Sequence, residues 1–551
     1  MSPEPDEQYK RLEGEEEVEN KESEEKESAS ERLTVEEMVN KTIGADNSRA
    51  NLFKFLGLYI ILMMVKMTAP ALAYMPIFAG FLNYKDWKCA SGKCIELMTN
   101  FTDKPELFFS RDTICDNALQ PNVDFTWTLQ RTSYAMEWGL ICSNESMGSN
   151  LKSFFFIGSF IGLVLGIAAF DRFGRKPTTV IALVITCLST LGGYFVNSYN
   201  VMLPVRIIQG MGTFTVLNGI ELLSIEFTPS KLRNLCQIFA SCGWTFGAFM
   251  IVGVSYGVTD WHHIFLIQGC FASITTIIVL IYPESPRFQL IKGREKEARA
   301  TFRRMSKIFN TQEVSEKAEL TYKDYDQSYL AQIKDFWKYP LMLKNTLLLV
   351  VCYFVIACIS YGLLFSWGKL GADIYSTIFF GSLGGFIAKG SGMIYFTIHY
   401  FGRKKAVMIS FAGIAVVFFI SIPSFGVRLS DTWNLDHVVC LCAAPFLSGV
   451  WGSISLLTKE LSPTSHRGTI LCMGSAGARV GAIVGPYMSL LYNTMDPRIV
   501  LAIFGGIAAL ASFITYFNSD STGKPIPSTP EELMDLYSDA KHKKLVDQED
   551  A

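Results

Sequence analysis

Charged residues are scarce in this chain. Asp, Glu, Lys and Arg together make up 18% of its 551 residues, half of the residues are hydrophobic, and the formal net charge is −2. Because soluble domains carry about a quarter charged residues, this composition indicates a membrane protein. The absence of a Walker phosphate-binding loop argues against ATP drive. Six scattered His and the cytosol-facing cysteines do not form a metal site, and catalytic and nucleic-acid motifs are absent, so we predict neither an enzyme nor a cofactor.

The N-terminal segment lacks the apolar residues that a folded core needs. Residues 1–40 hold fifteen acidic residues against five Lys or Arg, a composition typical of disorder. An acidic start is also the reverse of the basic beginning of a signal peptide, so we expect no cleavable signal. We predict that residues 1–50 form a disordered extension in the cytosol.

The hydrophobic residues cluster in blocks of about 20, enough to cross a hydrocarbon core of roughly 30 Å. Lipid offers no partner to an unpaired backbone amide, so such continuous blocks are expected to be helices. A β-barrel would need short alternating segments instead. We predict an all-α membrane protein with twelve transmembrane helices. They lie at about 52–82, 148–170, 177–198, 201–225, 234–256, 261–282, 345–367, 374–399, 406–425, 437–457, 469–492 and 498–517.

The basic residues of the short loops indicate the topology, because such residues are enriched on the cytosolic side. They follow the second, fourth and eighth blocks, which places all of these loops on one side of the membrane. An even number of spans puts both termini on that side, and the loop at 83–147 on the extracellular side. The basic residues are Arg172, Arg175, Lys176, Lys231, Arg233, Arg403, Lys404 and Lys405.

The extracellular loop carries two kinds of modification signal. Asn100 and Asn144 each begin an N-glycosylation sequon. Four cysteines in one outside loop favour two disulfides, with three possible pairings, while free thiols are the alternative. These cysteines are Cys89, Cys94, Cys115 and Cys142.

A weak internal repeat divides the chain. Gly174 and Gly402 mark similar basic turns that lie 228 positions apart. Two further pairs are each separated by 234 positions: Glu226 with Glu460, and Arg233 with Arg467. Parallel repeats of six helices occur in the major facilitator fold.

The repeat and a polar central stretch predict the domain organisation. We expect an N-terminal six-helix half at 52–282 and a C-terminal six-helix half at 345–517. Residues 283–344, rich in charge, would be a cytosolic linker, and residues 518–551 a cytosolic tail.

Several motifs resemble those of one known family. Asp171-Arg-Phe-Gly-Arg-Lys176 looks like the signature loop of major facilitator transporters, and Arg206-Ile-Ile-Gln-Gly-Met-Gly212 looks like their R-x-x-Q-G-x-G motif. Pro283-Glu-Ser-Pro-Arg287 resembles a motif shared by sugar porters and organic ion transporters. Together with the Cys-rich loop, Glu137-Trp-Gly-Leu-Ile-Cys142 and Ala478-Arg-Val-Gly-Ala-Ile-Val-Gly-Pro486 resemble the organic cation, organic anion and carnitine transporter family.

The resemblance implies a cytosolic gate made of ion pairs that join the halves and break when the protein opens inward. The N-terminal part would pair the signature loop with the end of the fourth span, and the C-terminal part would do the same with its repeat. Ordinary positive-inside loop residues are the alternative. The residues implied are Asp171, Arg172, Arg175, Glu226, Arg233, Glu284, Arg287, Arg403, Glu460 and Arg467.

Ionisable residues inside spans are costly and therefore mark candidate sites. Arg479 lies where the resemblance implies Arg in anion and carnitine transporters and Asp in cation transporters; a structural ion pair is the alternative. Glu221 would hold an ammonium group, bind a proton, or neutralise Lys389 or Arg479. Lys389 resembles a lysine of anion transporters, and Lys66 is a further charge in the first span.

Three aromatic residues, Trp244, Tyr353 and Tyr361, fall where the family lines its central cavity. Their rings would offer apolar surface and cation–π contacts to organic ions, although packing or lipid contact is the alternative. We therefore predict a plasma-membrane transporter that moves small organic ions by alternating access, anions or zwitterions such as carnitine-like compounds being favoured over cations. A coupling ion would be a further partner, and no nucleic acid is expected. The alternatives are a sugar-porter-like facilitator and a receptor or scaffold that keeps the fold without transport.

Overall fold

The computed structural model describes most of the predicted spans and parts of the loops between them. The described residues are 32–43, 49–80, 87–89, 125–127, 132–229, 232–311, 319–321, 329–366, 374–390, 399–425, 427, 435, 438, 441–522, 524 and 527–537.

The principal elements are helices that follow the hydrophobic blocks. In chain order they are α1 (Val35–Ile43), α2 (Arg49–Lys66), α3 (Thr68–Ala79), α4 (Tyr134–Glu137), α5 (Glu145–Phe173), α6 (Arg175–Gly193), α7 (Tyr199–Glu226), α8 (Arg233–Gly257), α9 (Trp261–Ile281), α10 (Pro286–Ile291), α11 (Glu295–Phe309), α12 (Tyr329–Lys338), α13 (Pro340–Ser366), α14 (Ile374–Gly390), α15 (Arg403–Ser421), α16 (Ala443–Leu461), α17 (Arg467–Met488), α18 (Leu491–Thr494) and α19 (Pro497–Tyr516).

Eight helical stretches of the described residues are long and apolar enough to cross a membrane. Two shorter apolar helices, Cys242–Gly257 and Ile374–Ala388, coincide with the fifth and eighth predicted blocks. Helices α7 and α16 overlap the fourth and tenth. Each predicted block is therefore found as a helix, and the predicted all-α membrane fold is confirmed. The eight stretches are Phe53–Ala79, Cys142–Phe173, Arg175–Gly193, Trp261–Ile281, Pro340–Ser366, Arg403–Ser421, Arg467–Thr494 and Pro497–Tyr516.

In the described part of the chain, strands are few and short. Strand β1 (Arg32–Thr34) pairs in parallel with β4 (Glu319–Thr321). Strand β2 (Trp87–Cys89) pairs antiparallel with β3 (Phe125–Trp127), with Trp87 opposite Trp127. The second pair joins two parts of the loop that was predicted to be extracellular.

The described residues divide into two compact units, the first drawn from Met1–Tyr59, Leu223–Arg233 and Pro283–Asp324. In this unit α1 packs on α11 and buries Met38, Val39 and Ile43. The hydroxyl of Thr311 donates a hydrogen bond of 2.7 Å to the carbonyl of Thr42. The acidic composition predicted disorder for residues 32–43. These residues are ordered here because their apolar side chains pack on the apolar face of α11.

The second unit is drawn from Ile60–Leu222, Asn234–Tyr282 and Tyr325–Ala551. Within it α17 runs against both α13 and α5. Gly477, Gly481 and Gly485 form the face of α17 that meets α13, where an added Cβ would clash with backbone atoms of α13. This stripe of glycines lets the two helix backbones approach closely, as is common between helices in membranes.

The two basic turns have the same local conformation. Gly174 and Gly402 have φ angles of 110° and 79°, values that favour glycine because it lacks a Cβ. Each is followed at once by an arginine that begins a helix, Arg175 of α6 and Arg403 of α15. The sequence repeat thus corresponds to a structural repeat at these turns.

The end of α17 that carries Arg467 is held by the linker and by the C-terminal segment. The ring of buried His466 lies 3.2 Å, Nε2 to Oδ2, from Asp335 of α12. Leu533 is fully buried in a cluster that includes Phe336 and Ile470. Tyr339 donates a hydrogen bond to Glu531. These contacts fix the start of the helix on which Arg479 lies.

Candidate substrate-binding site and gate

An ion pair joins α2 to α7 inside the second unit. The ammonium nitrogen of Lys66 lies 2.9 Å from Oε1 of Glu221. The Lys66 side chain is only 7% exposed, whereas that of Glu221 is 55% exposed. Lys66 is therefore the enclosed member of the pair and Glu221 the more exposed one.

The protein makes room for this lysine. Gly243 of α8 borders its side chain, and a Cβ at Gly243 would lie 3.1 Å from Cβ of Lys66. An ammonium group at this depth needs a counter-charge, because desolvation disfavours an isolated ion. Glu221 supplies it, so the partner of Glu221 in direct contact is Lys66, which the sequence analysis did not assign to it.

Arg479 lies over an aromatic ring from the other half of the chain. Its guanidinium carbon lies 4.3 Å from the centre of the Phe214 ring of α7. Its Nε is buried and has no hydrogen-bond partner among the described residues. Glu221 lies within Coulombic range of Arg479 but is bound to Lys66. The arrangement leaves a guanidinium able to receive a carboxylate or sulfate.

The predicted aromatic residues occupy two places. Tyr361 packs on Phe156 with 4.4 Å between ring centres, and Phe156 in turn neighbours Phe214. Tyr361 therefore belongs to the aromatic wall beside Arg479. Tyr353 is also buried and packs near Trp451.

Trp244 lies on another wall, where its indole Nε1 donates a hydrogen bond of 3.0 Å to the hydroxyl of Tyr74. This bond satisfies the polar end of the ring and leaves its apolar body for packing. Lys389 lies on α14, and its side chain is outside the described residues.

Two further cations of the second unit were not singled out from the sequence. Lys459 of α16 lies within Coulombic range of Glu221, Lys66 and Arg467. Lys152 of α5 lies over the ring of Phe365, 5.0 Å from its centre. Lys152 could have been singled out because it is a basic residue inside a predicted span. Lys459 could not, because it follows the end of its predicted block.

The C-terminal gate residues form a contact. Nε of Arg403 donates a hydrogen bond of 2.8 Å to Oε1 of Glu460, and Ser521 donates one of 2.8 Å to Oε2. Arg467 begins α17 beyond them, and its Nε and Nη2 have no hydrogen-bond partner among the described residues. The carboxylate of Glu460 thus links α16 to the basic turn before α15.

The N-terminal signature loop is held by its own residues. Nη1 of Arg175 lies 3.6 Å from Oδ1 of Asp171 and donates to the carbonyl of Phe170 at 3.1 Å. A cation at the end of α5 is favoured by the helix dipole. Arg172 lies over the ring of Phe173.

The other predicted gate residues lie in the first unit. Glu226 ends α7, and Arg233 begins α8 with a side chain outside the described part. Glu284 accepts a hydrogen bond of 2.8 Å from the backbone N–H of Ser285, whose own hydroxyl caps α10. Arg287 on α10 is exposed.

The second unit is closed between its halves at the end opposite the basic turns. The hydroxyls of Ser149 and Ser153 on α5 donate to the carbonyls of Pro486 and Ile483 on α17, at 3.3 and 2.8 Å. Tyr375 of α14 stacks on a ring of α3, that of Phe78. A carboxylate also takes part, because Asn493 of α18 donates a hydrogen bond to Glu145 at the start of α5.

The Arg206 motif stabilises packing rather than a site. Arg206 is 2% exposed, its Nη1 donates to Gln209, and its other nitrogens reach the carbonyls of Leu151 and Leu72 at 3.4 and 3.5 Å. Its guanidinium also lies over Phe155. The motif thus joins α3, α5 and α7.

The loop residues predicted for modification are only partly described. Cys142 is disulfide-bonded, and Asn144 is exposed next to it. Asn100, Cys94 and Cys115 lie outside the described residues, as does the side chain of Cys89. Glycosylation and the cysteine pairing remain predictions.

Comparison with known proteins places these features in context. The sequence pattern of the sugar (and other) transporter family matches residues 115–522. Organic anion transporter 3 of Sus scrofa is 27% identical over 455 residues, which cover 80% of this chain and 81% of the relative. Organic anion transporter 3 of Homo sapiens is 25% identical, with coverage of 80% and 81%. Solute carrier family 22 member 6 of Rattus norvegicus is 26% identical, with 72% of each chain covered.

Solved structures share the fold. The inward-open conformation of the xylose transporter XylE from E. coli superposes with a TM-score of 0.57 and 17% identity, covering 87% of this chain and 99% of that one. The same proton:xylose symporter of the major facilitator superfamily, bound to 6-bromo-6-deoxy-D-glucose, gives a TM-score of 0.54 at 17% identity. At this identity the likeness concerns the fold alone.

Proposed function

Because the chain belongs to the sugar (and other) transporter family, within the major facilitator superfamily, we propose that it carries small organic anions across the plasma membrane. Its relatives by sequence are organic anion transporters. A membrane protein of this fold binds its substrate between the two halves and exposes it to each side in turn.

The observation that carries the anion assignment is the state of Arg479. Its guanidinium lies over Phe214, its Nε lacks a partner among the described residues, and the nearby carboxylate of Glu221 is bound to Lys66. A buried guanidinium that contacts no carboxylate among the described residues is costly, and an incoming carboxylate or sulfate would relieve that cost with charge-assisted hydrogen bonds. Organic anions therefore fit this cavity better than organic cations.

The aromatic wall supports an organic rather than an inorganic anion. Tyr361, Phe156 and Phe214 lie together beside Arg479. Flat apolar rings gain free energy by covering the apolar body of a substrate. We assign Arg479 to the anionic group and this wall to the rest of the molecule; Trp244, Tyr353 and Lys389 are further proposed cavity residues.

Alternating access is supported by two sets of contacts. The halves are joined by hydrogen bonds at the end opposite the basic turns, and the Arg403–Glu460 pair lies at the basic-turn end. In our proposal both termini and the basic turns are cytosolic, so this structure corresponds to a protein closed on the outside. A coupling ion is part of the proposal but no residue is assigned to it.

Uptake into proteoliposomes tests the function. We expect the wild-type protein to take up carnitine or an organic anion and to exclude tetraethylammonium, whereas Arg479→Asp should lose the anion and gain the cation. Arg479→Lys, which keeps the charge, is the matched control and should retain part of the anion uptake. Wild-type uptake of tetraethylammonium alone, with a preference unchanged by Arg479→Asp, would contradict the assignment.

A sugar substrate is the weaker alternative. The structural likeness to a xylose transporter is at 17% identity, while the sequence relatives are organic anion transporters. Labelled hexose belongs in the same uptake experiment. A receptor or scaffold role would instead give binding of an organic anion without flux in any variant.

A further inference from the structure

We propose that Lys66 forms a second anion subsite and that the carboxylate of Glu221 occupies this subsite. The cavity then accepts cargo with one negative charge. This inference rests on the proposed function and adds to it the number of charges on the cargo. Its starting point is the pair itself: 2.9 Å between Nζ and Oε1, with the cation 7% and the carboxylate 55% exposed.

The difference in exposure between Lys66 and Glu221 indicates which of the two a substrate carboxylate could replace. Lys66 is enclosed, and Gly243 borders its stem closely enough that a Cβ there would lie 3.1 Å away. Glu221 is the outer, more exposed member of the pair. A carboxylate brought by a substrate would meet Lys66 from the side where the carboxylate of Glu221 now lies.

Among the charges near this pair, Arg479 is the one that can bind the anionic group of the cargo. Glu221 lies within Coulombic range of Lys66, Arg479 and Lys459, but its direct contact is with Lys66. Lys459 lies two residues from the end of α16, next to the gate residue Glu460. With Lys66 neutralised by Glu221, Arg479 is the cation that lies over Phe214 of the aromatic wall, while Lys152 lies over the neighbouring ring of Phe365.

Two matched probes test whether the cavity prefers cargo with one negative charge. They are suberate, a flexible dicarboxylate, and suberamate, in which one carboxylate is replaced by an amide. At neutral pH suberate carries two charges and suberamate one. We expect wild-type proteoliposomes to take up suberamate about tenfold faster than suberate, the size of effect given by one charge-assisted hydrogen bond.

Glu221→Gln should invert this preference, because the amide oxygen still accepts a hydrogen bond from Lys66 but no longer neutralises it. The double variant Lys66→Gln/Glu221→Gln, which has no unpaired buried charge, should return to a preference for suberamate. Glu295→Gln, in an exposed pair on α11, is the control for expression and should keep the wild-type ratio.

The outcomes separate this inference from the function on which it rests. An unchanged ratio in Glu221→Gln, or a double variant that prefers suberate, overturns the role of Lys66. Uptake of neither probe, or uptake insensitive to Arg479→Gln, overturns the proposed function instead. Thermal stabilisation of the purified variants by each probe gives the same comparison without transport, with Glu221→Gln stabilised more by suberate.

Discussion

The guanidinium of Arg479 lies over the face of Phe214, with 4.3 Å between the guanidinium carbon and the ring centre. Phe214 belongs to α7 and Arg479 to α17, so the contact joins helices from the two repeats. A guanidinium held over a ring by a cation–π contact still has N–H groups that can donate to a carboxylate. Phe214 therefore positions the group that we assign to the substrate.

Replacing Phe214 by Leu should weaken substrate binding more than it weakens the fold. The loss of a desolvated cation–π contact is worth about 1–2 kcal/mol, or roughly a tenfold rise in KM for anion uptake. Phe411→Leu, at a buried site on α15, is the matched control. A KM that stays at the wild-type value in Phe214→Leu would contradict the positioning role.

Gly481→Ala should disrupt the contact between α17 and α13. A Cβ at Gly481 would clash with the backbone of Phe354, whereas Gly468 on the same helix has nothing within 4 Å of the corresponding position. We expect Gly481→Ala to lower the free energy of unfolding by about 1–3 kcal/mol and Gly468→Ala to leave it nearly unchanged. Thermal unfolding in detergent measures both, and equal melting temperatures would refute the packing argument.

Arg403 and Glu460 should behave as a coupled pair. Their 2.8 Å contact is partly buried, with Glu460 also held by Ser521. In a double-mutant cycle of alanine variants we expect a coupling energy of about 1 kcal/mol, measured by thermal unfolding. The exposed Arg299–Glu295 pair of α11 is the comparison, at about 0.3–0.5 kcal/mol. Additive effects at Arg403 and Glu460 would show that the contact stabilises nothing.

Arg206→Ala should be among the most destabilising single substitutions. It removes a buried cation and leaves the side chain of Gln209 and two carbonyl groups without their donor. The expected loss is about 3 kcal/mol or more in the free energy of unfolding. Arg294→Ala, at an exposed site, should cost little. Folded Arg206→Ala protein with an unchanged melting temperature would disprove this role.

Acid should remove the contribution of Asp260 to the stability of the fold. Asp260 caps the N-terminus of α9, outside the membrane span. Burial raises the pKa of Asp260, but hydrogen bonds from His262 and Thr132 outweigh this effect and hold the pKa below the usual range of an aspartate. A depressed pKa in the folded state stabilises the protein above the unfolded pKa, and this contribution is lost as pH falls through the lower folded value. Melting temperatures should therefore converge for wild type and Asp260→Asn below about pH 4. A constant difference down to pH 3 would refute this linkage.

The spans and the repeat followed from the sequence because they depend on composition and spacing. Each predicted block is a helix, and Gly174 and Gly402 have similar positive φ angles. Arg479 was singled out because a charge in an apolar block is costly. These features are local in the chain.

Pairings between distant residues did not follow from the sequence. The partner of Glu221 is 155 positions away, and neither spacing nor composition distinguishes Lys66 from Lys389 or Arg479 as that partner. The order of residues 32–43 was likewise missed, because the face of α11 that covers Met38 and Ile43 comes more than 250 positions later. In both cases the outcome depended on which distant residues are buried together in the folded protein.

The glycine stripe of α17 has a consequence for how cargo preference changes in evolution. Because Gly477, Gly481 and Gly485 fix the register of α17 on α13 through backbone contact, the position of residue 479 does not depend on its own side chain. Replacing this one residue by an acidic one would reverse the sign of the charge offered to cargo while the helix pair stays in place. New specificities then need a single amino-acid substitution, with no prior remodelling of the scaffold.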